Sequence, residues 1–556
     1  MQIIIPMSGF GERFRNAGYK LPKPLIKVDG RPIISYVVDM FPGEKDFIFI
    51  CNKEHLNEPS YELEKTLKRY CPSGKIVAIE PHKLGPINAI ILAKDQIDFN
   101  KKTIVNYCDF TCYWDWQSFK KHLETNKVSG SIPAYKGFHP HSLGSTNYAY
   151  IKESNGHVLD IQEKKPFTNN RMNEFASSGT YFFETAKLMF EAFDYVINEN
   201  LEINGEFYVS LAYKFLLKNN LKTLVFPLQH FMQWGTPEDL SEYKEWSKIF
   251  NYHLINKRDF SLKDSSLIIP MAGLGKRFSD KGYMVPKPFI NVSGRYMVLN
   301  AVESLPSHDE TIFVVRSDME NIDKFRNLTN QELQKTSVKE VPKLTDGQAN
   351  TAKIGFDSLN YDASMKTVTF SACDNGVIFD TRKFDKLIKD DNVDVIVWGY
   401  RGHTNASRKP EMFGWIKADE NNRITGVSVK KPLNNPKTDP IIIGTFTFSK
   451  GYQFERSIQS LIDRGGKING EYYLDSCIED AIKLGLNCYL FEVDSFISWG
   501  TPEDLRTYQY WQSCFHNWEF HEYNMNNDYR IARENISKIN KQYENYFIEE
   551  SKFDLS

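Results

Sequence analysis

No apolar run in these 556 residues approaches the ~18 needed to suggest a membrane span. An excess of one charge sign is missing too: 69 Lys and Arg stand against 71 Asp and Glu, which removes the basic footprint of nucleic-acid binding. Cysteine is sparse, eight in all, without the spacing of a secreted disulfide framework. That usage suits reduced thiols in a cytoplasmic protein. Cys108 and Cys112 form the only close pair, with no second pair to complete a zinc site. The opening MQIIIPMSG has no basic segment before its short apolar run and no small-residue cleavage site after it. It reads as a first strand, not a signal peptide. What remains is a globular composition, 41% hydrophobic and 25% charged, with small molecules or proteins as the expected partners.

The chain repeats itself. IIIPMSGFGERFRNAGYKLPKPLIKV at Ile3–Val28 returns as LIIPMAGLGKRFSDKGYMVPKPFINV at Leu267–Val292. WGTPEDL at Trp234 returns at Trp499, and NGEFY at Asn204 returns as NGEYY at Asn469. The copies stay in step almost to the residue, so a whole domain of about 250 residues is duplicated, not a short solenoid unit. The expected organisation is a first domain over 1–250, a polar linker over 251–265, a second domain over 266–511 and a tail over 512–556. In the tail, Ile531, Ile536, Ile539 and Tyr543 are spaced for one amphipathic helix. Two copies could form an intramolecular pseudo-dimer, and a homo-oligomer is the other arrangement left open.

Within each copy, short β-branched runs alternate with helical patterns. IIIP (3–6), FIFIC (47–51), IVAI (76–79) and TIVNY (103–107) predict strands, with PIISYVVDM and INAIILAKDQI as helices between them. The alternation predicts an α/β fold with a mostly parallel central sheet in each copy. Ligands on such sheets bind beyond the carboxyl ends of the strands.

The chemistry-bearing residues fall at those ends. After the first strand come Met7, Ser8, Gly9 and Gly11, then Arg13, and Lys23 within PKP. Glycines there let backbone N–H groups approach a phosphate, and the two cations answer its charge. Neither the third glycine of a Rossmann fingerprint nor the GK[ST] ending of a P-loop is present. The second copy offers Met271, Ala272, Gly273, Gly275, Arg277 and Lys287. TIVNYCDF ends in Asp109 and TVTFSACD in Asp374, carboxylates placed to hold Mg²⁺, a hard cation that takes one or two carboxylates plus phosphate oxygens. The bland alternative is a strand-end Asp capping a turn. Gly85 and Gly347 open helical patterns, as an N-cap glycine also would.

Together these strings resemble the nucleoside-diphosphate-sugar pyrophosphorylases, nucleotidyltransferases of GT-A-like fold, across each copy from end to end. The resemblance implies two tandem nucleotidyltransferase domains in which Arg13, Lys23, Arg277 and Lys287 bind triphosphate oxygens and Mg²⁺ sits on Asp109 and Asp374. It places Gly85 and Gly347 against the base and ribose. Lys165 before Pro166 and Lys431 before Pro432 answer the family's E-K-P lysine, which contacts the phosphate of the sugar substrate. Gly179 and Gly444 answer its sugar-binding turn, and Glu206 and Glu471 would accept hydrogen bonds from sugar hydroxyls. The implied reaction joins a nucleoside triphosphate to a phosphorylated sugar or sugar-like substrate and releases pyrophosphate, for capsule or lipopolysaccharide precursors. Three departures stand out: Pro86-Ile87 faces Gln348-Ala349 at the base segment, Glu163 faces Val429 before the lysines, and Gln233 and Ser498 replace a second metal-binding acid. Asp494 is an acid that could reach the site in the second copy alone. The rival readings are a GT-A glycosyltransferase, against which the PKP lysine and the lack of Asp-x-Asp speak, and a chain in which only one copy is catalytic.

Overall fold

The computed structural model describes residues 1–228, 230–255, 260–359 and 361–545. Contacts divide them into two compact units, one of Met1–Lys248, Tyr510–Asn524 and the chain from 540 to 545, the other of Ile249–Gln509 and Met525–Ile539.

In the first unit the central sheet runs Lys75–Ile79, Asp46–Asn52, Gln2–Met7, Thr103–Asn106, Thr180–Phe183, Gly130–Tyr135, Thr223–Leu228, and continues into the hairpin Ala149–Ser154 and His157–Glu163 with Phe175–Ser177 at its edge. The second unit has the same core order: Thr336–Val341, Glu310–Arg316, Ser265–Pro270, Thr367–Ser371, Ile441–Phe448, Val395–Tyr400, Cys488–Glu492. Directions match as well. Gln2–Met7 lies parallel to both neighbours, as does Ser265–Pro270. Thr180–Phe183 and Ile441–Phe448 lie antiparallel to theirs.

The sheets are therefore mixed, where the strand and helix alternation predicts mostly parallel ones. The reason is the connection. From Glu163 to Phe175 the chain makes only a loop and one short 3₁₀ turn, Arg171–Asn173, and without a helical crossover a returning strand enters antiparallel. The predicted strands all form, at Gln2–Met7, Asp46–Asn52, Lys75–Ile79 and Thr103–Asn106. Their interiors are dry: Ile3, Ile4, Ile5, Ile48, Phe49 and Val105 are fully buried.

Both WGTPEDL segments open long helices, Pro237–Ile255 and Pro502–Asn517. The first runs into the stretch whose polarity marks it as linker, because Ile249 and Phe250 are buried and carry the apolar face onward; residues 256–259 lie outside the described residues. The second likewise passes the expected start of the tail. Beyond it, Arg533–Asn545 is helical, with Ile531 and Ile539 buried and Ile536 half-buried. The Tyr543 side chain lies outside what is described. All eight cysteines are free thiols, and no helix among the described residues is long and apolar enough to cross a membrane.

His308 packs in the second unit with its Nε2 3.1 Å from Thr369 Oγ1. Burial pushes its pKa down to about 4, against the weaker opposing pull of the Pro306 carbonyl and Asp309. A histidine held neutral in the fold contributes stability above its unfolded pKa, and that contribution is lost as pH falls from about 6.5 towards 4. We expect the urea midpoint of the second unit to fall over that window, with His403, whose pKa burial also holds down to about 4, contributing beside His308, and His308→Gln to lessen the slope. An unchanged slope in the variant would assign the pH dependence elsewhere.

Candidate active site

In the first unit, the turn after Gln2–Met7 puts Gly11 at φ +63, a left-handed conformation that glycine adopts without a Cβ penalty. Lys23 starts a 3₁₀ turn and points its Nζ to Asp109 Oδ2 at 3.1 Å. The two groups meet because Gln2–Met7 and Thr103–Asn106 are parallel neighbours, so both loops leave the same sheet edge. Burial works to lower the Lys23 pKa, but the charge and hydrogen bond of Asp109 outweigh it and hold the ammonium above its ordinary range. Gln233 stands beside this pair: a Cβ at Gly235 would lie 2.7 Å from Gln233 Nε2 and 3.0 Å from Asp109 Oδ2. The second-acid position is thus next to Asp109 in space, filled by an amide.

A cleft of about 400 Å³ joins these groups. Met7, Ser8, Gly9, Gly11, Arg13, Lys23, Gly85, Asp109, Gly179 and Glu206 all line it. Gly85 is needed there for more than capping the helix Pro86–Leu92. Its φ is +87, and a Cβ would fall 2.7 Å from Phe207 N and 2.8 Å from Phe207 O. Phe207 N donates to Leu84 O at 3.0 Å, and Ile87 N donates to Phe207 O at 3.3 Å. The glycine segment and the NGEFY segment are thereby laced backbone to backbone. That contact brings Glu206 to the cleft.

The lysine assignment needs correction. Lys165 is exposed, and Lys164 lines the cleft instead. Lys164 has φ +57 and its N–H donates to Tyr148 O at 2.9 Å. This left-handed step turns Lys164 inward and the next side chain outward. Its Nζ donates to Tyr208 Oη at 2.5 Å, and Tyr208 in turn donates to Glu206. Glu163, facing the same cleft, accepts from Ser210 Oγ at 2.6 Å, and burial raises its pKa over the opposing effects of Ser210 and Lys164. The signal for Lys164 was present in the sequence: the acid and lysine of E-K-P match Glu163-Lys164, and only the proline favours Lys165.

The second unit repeats the phosphate end of this arrangement in a cavity of about 260 Å³ lined by Met271, Ala272, Gly273, Gly275, Lys287, Gly347, Asp374 and Glu471. Lys287 bonds Asp374 and also donates to Gly500 O at 3.3 Å. Gly347, at φ +111, is held so close to Tyr472 that a Cβ would lie 2.6 Å from its backbone N and O. Arg277 and Gly444 do not line this cavity, although the Arg277 charge acts on Lys287 and Lys430. Lys431 is exposed; Lys430 has φ +59 and donates to Met412 O. The left-handed step is thus shared by both units, but Lys430, unlike Lys164, does not line the cavity of its unit.

Asp494 does not replace the missing acid. It precedes the strand Ser495–Ser498, whose Ser495 pairs with Ile378 while Ser498 pairs with Asn375, so Asp494 lies about 13 Å along the strand from the Asp374 end. Ser498 itself is near Asp374 and donates to Asp504 Oδ2 at 3.2 Å. Among the described residues no group of three or more His, Cys, Asp or Glu side chains could hold a metal.

Residues 2–241 match the family model described as Nucleotidyl transferase. A bifunctional protein GlmU of Fervidobacterium nodosum is 24% identical over 213 residues, covering 38% of this chain and 42% of that protein. A mannose-1-phosphate guanyltransferase of Schizosaccharomyces pombe is 25% identical over 182 residues, 31% of this chain and 48% of that protein. The chain thus spans about half the length of the curated relatives it matches. Among solved structures, a nucleoside-diphosphate-sugar pyrophosphorylase of Vibrio cholerae RC9 is 20% identical, with a TM-score of 0.37, over 44% of this chain and 99% of that one.

The glycine contacts are testable. Gly85→Ala and Gly347→Ala each add a methyl against backbone at a positive φ, and each should destabilise its own unit by about 1–3 kcal/mol. Urea unfolding of each variant reads this. A shift below about 0.5 kcal/mol would show that the segments part without cost.

Proposed function

We propose that each unit binds a nucleoside triphosphate on its glycine turn and catalyses attack by a phosphate oxygen of a phosphorylated sugar or sugar-like acceptor on the α-phosphorus, releasing pyrophosphate. The observation that carries this reading is the ammonium–carboxylate pair at the sheet edge beside the glycine turn, Lys23 with Asp109 and Lys287 with Asp374. Such a site needs no covalent intermediate, because positioning and charge neutralisation accelerate phosphoryl-type transfer.

Arg13 and Lys23 neutralise the departing pyrophosphate. Lys164, on the far wall, orients the attacking phosphate, while Glu206 and Glu163 receive acceptor hydroxyls. In the second unit Arg277, Lys287, Lys430 and Glu471 take the corresponding parts. The donors present suit Mg²⁺: Asp109 offers a hard carboxylate with the Gln233 amide beside it, and Asp374 has the Ser498 hydroxyl nearby. Bound there, the ion would neutralise charge on the triphosphate.

The base-reading walls differ. Gln348, with an amide able to pair with a base edge, lines the second cavity where Pro86 lines the first. Proline lacks even a backbone donor, so the two units select different triphosphates. The product is an activated sugar-like compound, which we assign to the supply of surface-polysaccharide precursors.

Pyrophosphate release should be followed with CTP, UTP, dTTP, GTP and ATP, Mg²⁺ and a panel of hexose 1-phosphates, in full-length Asp109→Ala and Asp374→Ala chains. Each substitution should cut release from one substrate pair about a hundredfold or more and spare the other. If neither change lowers release, the transferase reading is wrong.

A further inference from the structure

The two units differ on the acceptor side in a linked way. In the first, the hairpin strands pair Ala149 with Glu163, and Glu163 accepts a hydrogen bond from Ser210 at the neighbouring 3₁₀ turn Val209–Ala212. In the second, the equivalent hairpin pairs Gly414 with Val429, so the strand acid is gone. Counting on from the shared Asn-Gly-Glu, Asp475 of the second unit takes the place of Ser210.

Three substitutions therefore fall on three touching positions: Ala149 to Gly414, Glu163 to Val429, Ser210 to Asp475. The geometry explains the glycine. A methyl group built on Gly414 would overlap Oδ2 of Asp475 and come within 3.1 Å of its Cγ. Removing one methyl makes room for the carboxylate that enters from the helix Leu474–Lys483. Random decay of an unused wall would lose the acid without opening a space fitted to a new one. The incoming carboxylate is also coupled to Lys430, which like Asp475 stands outside the lining of the cavity of about 260 Å³ that Glu471 borders: burial lowers the Lys430 pKa, while Asp475 and Glu471 work to raise it and Arg277 to lower it.

Resting on the nucleotidyltransferase reading above, we infer that Asp475 is the hydroxyl-binding acid of the second unit's acceptor pocket, standing in for the acid that Val429 replaces. The class of ligand is a phosphorylated polyhydroxy compound: Lys430 meets the phosphate and Asp475 a hydroxyl. The acid is one methylene shorter and approaches from a helix instead of a strand, so the hydroxyl it selects differs from the one Glu163 selects. The two units consequently take different acceptors.

The test uses full-length chains in which Asp109→Ala silences the first unit. Pyrophosphate release is measured with the five triphosphates and with glucose 1-phosphate, mannose 1-phosphate and N-acetylglucosamine 1-phosphate as probes. Asp475→Asn should raise the KM for the acceptor about tenfold and leave the KM for the triphosphate within about twofold. Gly414→Ala should do the same by displacing the carboxylate. The triple change Gly414→Ala, Val429→Glu, Asp475→Ser should restore turnover with the acceptor preference of the first unit, read from the Asp374→Ala chain; this also guards against loss through misfolding. An unchanged acceptor KM in a turning-over Asp475→Asn chain overturns the inference and leaves the transferase reading intact. A silent Asp109→Ala chain beside an active Asp374→Ala chain overturns it too, since the second unit then has no working acceptor site. Silence in the unsubstituted chain defeats both readings together.

Discussion

At the mouth of each central sheet an ammonium and a carboxylate face one another, with most of each side chain removed from solvent: 23% and 26% exposed for Lys23 and Asp109, 19% and 23% for Lys287 and Asp374. Neither charge is tolerable there alone, because an unpaired charge out of water costs several kcal/mol. The lysine comes from the loop after one strand and the aspartate from the end of its parallel neighbour. Strand order, the left-handed glycine and the PKP turn must therefore all be in place before the pair can form. A pair so held also places a fixed cation beside the glycine turn that lines the cleft.

How far the sequence reveals this depends on the range of the interaction. Gly11, Lys23 and Asp109 are legible because each follows directly from an apolar strand or a proline-bounded turn, and the second copy repeats the spacing. Lys164 is legible only in part: Glu163-Lys164 matches the acid and lysine of E-K-P, but which lysine turns inward is set by a left-handed residue at the end of a hairpin, whose closing bond from Lys164 N to Tyr148 O is a tertiary fact. Adjacent lysines in sequence look alike; one residue of strand register turns one inward and the other out. Asp494 fails in the opposite way. It lies near Ser498 in sequence, but an extended strand carries it away from the site. The mixed sheets were hidden for a related reason, since strand direction depends on whether the connecting segment crosses the sheet, and local periodicity does not record that.

Gly85 and Gly347 show a glycine whose role reads differently at each level. In sequence either could be a helix cap. In the structure each is the only residue type that lets one backbone lie against another, Gly85 on Phe207 and Gly347 on Tyr472. Because that lacing also fixes Glu206 and Glu471, the glycine segment and the Asn-Gly-Glu segment of each unit are mechanically one piece.

The pattern of difference between the units follows from these constraints. At the phosphate end each group is held by several others, so losing one cation or the carboxylate strands its partner, and the cost of an unpaired buried charge opposes drift. Across the cleft some positions are small or apolar and trade at little cost: Ser177 and Ser178 of the first unit stand where the second has Ile442 and Ile443. An acid can move across such a wall if space opens for it, and Gly414 provides that space beside Asp475. Between the copies the lysine–aspartate pair is thus kept, while the wall that carries Glu163 and Ser210 in the first unit differs in the second. On the proposed reading that wall is the one that would meet the acceptor, which is where two units in one chain have reason to differ.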